Sequence, residues 1–112
     1  MATRLEHSLH EWHNKAYGKA LNLPATYRHL CEEVRELGEA IMLSELCHPD
    51  QTKKKRKLVT NACLEAADVA ILTLMCVRGI ERDETASLSA WMAVKLDIIQ
   101  QRLDEKTKAD SA

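Results

Sequence analysis

Phenylalanine is absent, and the 112 residues include only three Gly, two Pro, two Trp and two Tyr. With so few chain breakers and a composition rich in Leu, Ala, Glu and Lys, the chain is expected to be all-α. An excess of charge of one sign is also lacking. The formal net charge is −1, so no global field draws in nucleic acid or a membrane surface. The longest apolar run, Val69 to Val77, is about half the length that a membrane span needs. The four cysteines, Cys31, Cys47, Cys63 and Cys76, show no C-x-x-C spacing. With no signal peptide visible, they read as reduced thiols in or near the core of a cytoplasmic protein. The length fits a single domain over residues 1–112, short for a self-sufficient bundle with a deep pocket.

What the sequence does have is carboxylates in pairs. Glu33 and Glu36 lie three residues apart, as do Glu65 and Asp68. In a helix such pairs share a face, about 60° from each other. Along the first of these helices Leu30, Val34, Leu37 and Ile41 form an apolar stripe. Glu33 and Glu36 sit roughly 60° and 120° from its centre, while Glu32 and Glu39 point away. On the partner helix Leu58, Ala62, Val69, Leu72 and Cys76 form the stripe, and Glu65 falls inside it. A carboxylate on an apolar face is costly unless it is paired or bound to metal. Four acids in one pocket cannot all stay bare anions, and oxygen ligands of this kind suit Mg²⁺ or Mn²⁺.

Helix one is expected from about Thr3 to Leu21, with Leu5, Leu9, Trp12 and Ala16 on its buried stripe. His7, His10 and His13 recur every third residue, but such steps drift by roughly 60° each. They read as scattered surface histidines. Trp12 and Tyr17 read as core or interface groups, with base stacking left open. Asn22-Leu23-Pro24 breaks the chain, and Pro24 suits the first turn of a second helix running to about Cys47. Glu45 and His48 match the Glu-x-x-His element of di-iron bundles, which need two such elements where this chain has one. His48 is instead expected at the helix C-terminus. Helix three should end near Arg78 with Gly79 as its stop. Asp83 is the candidate N-cap of a fourth helix from about Glu84 to Arg102, and Asp104 to Ala112 should fray.

Lys53, Lys54, Lys55, Arg56 and Lys57 form a basic run. It reads first as a solvated loop or helix start, with Lys53 and Lys54 as candidates for holding the outer phosphates of a substrate. As a nucleic-acid patch it is short and lacks interleaved aromatics. Lys95 and Arg102 share a face of helix four with Leu88, Met92 and Ile99. They either pack their stems on the core with heads in water or point at phosphates beside the metal.

The order EExxE then ExxD, here Glu32-Glu33-Val34-Arg35-Glu36 and Glu65-Ala66-Ala67-Asp68, resembles the MazG-like all-α nucleoside triphosphate pyrophosphohydrolases. Trp12, Gly18, Pro24 and His29-Leu30 extend the similarity, which covers roughly residues 10 to 102. The resemblance implies a four-helix antiparallel bundle-like domain, completed in a homodimer or homotetramer. It implies Mg²⁺, with Mn²⁺ as a substitute, on Glu33, Glu36, Glu65 and Asp68. It also implies cleavage of an NTP, by preference a dNTP, between the α and β phosphates to the monophosphate and pyrophosphate. Metal ions would neutralise the triphosphate and activate water. Glu32 is carried as a catalytic base or outer-shell group although its angle points outward, and Trp12, Tyr17 and His29 are the base-binding candidates. Many relatives have Asn where this chain has Ile99, and an aliphatic side chain cannot make an amide's hydrogen bonds. The alternative, from another class, is a non-catalytic helical bundle whose acids bind a structural cation or a partner's basic surface.

Overall fold

The computed structural model describes residues 2–111 as four helices. These are α1 (Arg4–Tyr17), α2 (Leu23–Leu46), α3 (Thr52–Glu81) and α4 (Leu88–Ser111). No strand occurs among the described residues, as an all-α chain requires. No helix is long and apolar enough to cross a membrane.

α2 and α3 make the dominant packing contact, an antiparallel hairpin in which Glu33 meets Glu65 and Ser44 meets Lys55. α2 starts at Asn22, whose side-chain oxygen accepts the Ala25 N–H at 3.0 Å, and Pro24 occupies its first turn. That cap satisfies one of the free N–H groups of a helix start. At the far end Lys55 donates its ammonium to the Ser44 carbonyl in the last turn of α2, where a cation complements the helix dipole. The rest of the basic run is exposed, in keeping with a solvated helix start.

α1 begins with a reciprocal cap between Thr3 and Glu6 and ends at Gly18, earlier than its apolar spacing suggests. Gly18 has φ 81° and ψ 176°, a region open essentially to glycine alone. Of the three regularly spaced histidines only His7 lies at the surface; His10 is buried and His13 half-buried. The surface reading is corrected because the α3–α4 connection crosses this face of α1: His10 Nε2 donates to the Ala86 carbonyl at 2.8 Å.

Gly79 does not stop α3. The helix runs on to Glu81 and closes at Arg82 in the left-handed region (φ 57°, ψ 42°). Gly79 serves close approach instead, since a Cβ there would come within 2.8 Å of Leu21 Cδ2. Asp83 shapes the turn before α4 by accepting the Thr85 N–H and hydroxyl at 2.9 and 2.8 Å. α4 itself starts later, at Leu88, capped by the Ser87 hydroxyl, which accepts the Ala90 N–H at 3.0 Å, and by Glu6 of α1, whose Oε2 accepts the Leu88 N–H at 2.6 Å. α4 also continues through the segment expected to fray, with Thr107 and Ser111 hydroxyls bonded one turn back. From Trp91 to Ser111 every residue of it is exposed, so within one chain Lys95 and Arg102 have no core beneath them.

The thiols are likewise less enclosed than expected. Cys76 is buried and Cys47 half-buried, but Cys31 and Cys63 are exposed, because the outer faces of the hairpin are bare. The chain exposes 8653 Å², against about 6,200 Å² for a compact monomer of this mass. Its radius of gyration is 18.2 Å, where about 13 Å corresponds to a compact chain of this length.

Candidate metal centre and adjoining cleft

Helical spacing puts Glu33 and Glu36 about one turn apart on α2, and α3 presents Glu65 across from them. One carboxylate oxygen from each lies within 4.8 Å of the other two. The Glu33 side chain is only 16% exposed, and both Glu33 Oε2 and Glu65 Oε2 are buried without a hydrogen-bond partner. Glu33 Oε1 faces His29 Nε2 at 3.3 Å, one turn earlier on α2. Burial, followed by the nearness of Glu65, Glu36 and Asp68, holds the Glu33 carboxyl above the usual range. A buried carboxylate oxygen with no donor requires a proton or a cation. All-oxygen donors at this spacing fit a hard divalent ion such as Mg²⁺ or Mn²⁺.

Through Glu33 this cluster adjoins a cleft of about 570 Å³. Glu33, His29 and Asp68 line it on one side, and Ile71, Leu72 and Met75 form an apolar floor along α3. Met75 lies about 10 Å along the helix from Asp68. At that far end α1 contributes Trp12, His13 and Tyr17. Trp12 and Tyr17 meet edge to face with centroids 5.8 Å apart, and His13 lies 5.2 Å from Tyr17. Both large rings are more than half exposed, so their faces stay open rather than filling a core.

The other sequence candidates stand apart. Asp68 lines the cleft but falls outside the tight group of three. Glu32 is exposed, as its outward angle implied. Lys53 and Lys54 are exposed at the start of α3, about 17 Å along the helix axis from Glu65. Lys95 and Arg102 ride on exposed α4 and do not line the cleft.

Sequence reasoning missed His13 as a cleft residue, and it missed Arg78 altogether. His13 had a signal in its position beside Trp12. Arg78 had none, since an arginine near a helix C-terminus reads as a solvated dipole partner. Here it is buried, donating to the Asn14 side-chain oxygen and, at 3.3 Å, to the Lys19 carbonyl. The chain matches no family model, no curated protein and no solved structure. The chemistry of the cleft therefore carries the functional argument.

Proposed function

We propose that this chain is a cytoplasmic, Mg²⁺-dependent nucleotide pyrophosphohydrolase of the MazG-like kind. Its substrate is a nucleoside triphosphate, by preference a deoxynucleotide, cleaved between the α and β phosphates. The observation that carries this reading is the pair of buried, unpartnered oxygens on Glu33 and Glu65, clustered with Glu36 beside the cleft. A cleft with carboxylates on one side, an apolar floor and open aromatic rings at the far end suits a nucleotide with its phosphates toward the acids and its base toward Trp12 and Tyr17.

Glu33, Glu36 and Glu65 would hold the ion, with Asp68 completing the donor set from the cleft wall. Mg²⁺ bound there would supply charge neutralisation for the phosphates and a more acidic water. His29 orients Glu33 through its ring nitrogen. In the reaction the water oxygen bonds to phosphorus, the bridging P–O bond breaks and pyrophosphate leaves. The water's proton passes to a carboxylate of the site.

We take the working form to be a homo-oligomer. The support is an excess of about 2,400 Å² of exposed surface over a compact monomer and an α4 that packs on little of its own chain. A phosphate-binding role for Lys95, Arg102, Lys53 or Lys54 requires a neighbouring copy, because in one chain they stand clear of the cleft. That separation also favours one rival, a non-catalytic helical module whose carboxylates hold a structural cation.

The test is a pyrophosphate-release assay with Mg²⁺ across the common ribo- and deoxyribonucleoside triphosphates. The expected product is pyrophosphate rather than orthophosphate, with a loss of roughly 10²-fold or more in Glu65→Gln. Stabilisation by Mg²⁺ without turnover of any nucleotide would sink the enzyme and leave the rival.

A further inference from the structure

The cleft occupies one face of the α2–α3 hairpin, and the opposite face is bare. α2 rests on α3 along a line through Glu33, Ala40 and Ser44. The cleft takes Ala25 and His29 from one side of that line. On the other side, by the helical step of about 100°, stand Tyr27, Val34 and Ile41, each about half exposed. α3 behaves alike: Asp68, Ile71 and Met75 line the cleft, while Cys63, Ala66 and Ala70 point the other way and are exposed. A Cβ at Gly38, on this same side of α2, would meet nothing within 4 Å. Its own chain leaves that stripe uncovered there.

The composition of this face identifies its occupant. Neither stripe holds a charged residue, so a charged partner would find nothing to pair with. The stripes also differ in bulk, large on α2 and small on α3. A two-fold axis that lays each α2 over the other copy's α3 therefore seats ridge in groove twice. The area agrees. A stable interface takes about 800 Å² from each partner, and the chain, at 8653 Å², exposes about 2,400 Å² more than a compact monomer of its mass.

We infer that this face is where two copies of the chain meet, the two hairpins packing into a four-helix bundle. Both clefts then face outward, so pairing leaves them open to a ligand. The inference fixes which face the homo-oligomer uses, and it stands or falls independently of the hydrolase reading.

Two measurements test it on the full chain. Analytical ultracentrifugation should give at least twice the 12.7 kDa of one copy, and Val34→Asp should halve that mass while helix content stays unchanged. Ala66→Asp, on the other helix, should do the same and supplies the result where Val34→Asp does not fold. Leu96→Asp, on the exposed α4, should leave the copies paired. A monomeric unsubstituted chain, or a mass that both hairpin variants leave unchanged, overturns the inference. Dissociation to single copies by Leu96→Asp alone also overturns it and moves the contact to α4. Cys63 reports on the same face, since its thiol is exposed in one copy. It should resist iodoacetamide in the unsubstituted chain and react about tenfold faster in Val34→Asp. Equal reaction in both overturns the inference, whatever the chain does to nucleotides.

Discussion

Glu6 and Glu33 are the same residue, both withdrawn from water, and the protein treats them in opposite ways. Glu6 Oε1 accepts from the Thr3 N–H and the Ser87 and Ser89 hydroxyls at 3.0, 3.0 and 2.7 Å. Its Oε2 accepts the Leu88 and Ser89 N–H groups at 2.6 and 3.3 Å. Burial acts to raise its pKa, but these donors together outweigh it and hold the carboxyl at about 2. Glu33 has one imidazole beside it and otherwise only more acid, so burial and charge push it the same way, upward. The junction of α1 with α4 is electrostatically finished from within the chain. The α2–α3 face is not: its buried carboxylate oxygens call for a proton or a cation.

Removing the finished carboxylate should cost the most stability. Glu6→Ala strands two N–H groups at the start of α4 and is expected to lower the unfolding free energy by about 3 kcal/mol, measured by urea denaturation. The pH dependence follows from the sign of the shift. A carboxyl whose folded pKa of about 2 lies below its ordinary 4.5 contributes stability that is full above pH 4.5 and lost as the pH falls toward 2. Glu6→Ala should therefore flatten the acid limb of the stability curve.

The unfinished face should respond to metal instead. Mg²⁺ at a hundred times its dissociation constant is expected to stabilise the chain by about 2.7 kcal/mol, read as a rise in Tm. Glu6→Ala should keep that rise and Glu65→Gln should lose it. Without metal the sign for Glu33 is reversed: its raised folded pKa gives stability that is full below pH 4.5 and lost as the pH rises through the folded value. An equal response to Mg²⁺ in Glu65→Gln would break the comparison.

The smallest effect is expected at Gly18, which touches neither carboxylate but ends α1 in a glycine-only conformation. Gly18→Ala should cost about 1–2 kcal/mol. It should spare the response to Mg²⁺, because the Lys19 carbonyl beside it accepts from Arg78 and not from the carboxylate face.

Much of the carboxylate face was legible in the sequence because it depends on local periodicity. Residues three apart on a helix share a face whatever surrounds them, so Glu33, Glu36 and Glu65 converge as their angles require. The same angles left Glu32 outside. Periodicity failed wherever the decisive partner was distant in the chain. It took His10 and His13 for surface groups, because the segment that covers them comes from beyond α3. It gave the cap of α4 to Asp83, when Ser87 caps the Ala90 N–H and the donors at Leu88 and Ser89 are met by a side chain 82 and 83 positions away.

By itself, then, the order of residues determined helix content, the α2–α3 hairpin and the acidic pairs. Each of these follows from backbone preference and from spacing over one or two turns. Tertiary structure alone decided which buried polar groups would be satisfied. Closing α1 over the α3–α4 connection gave Glu6 four donors beyond the Thr3 N–H of its own cap, brought Arg78 to Asn14 beside the cleft, and left Glu33 and Glu65 each with an oxygen unanswered. The physical reason is that desolvation and pairing depend on what lies within a few ångströms in space, which spacing along one helix does not record.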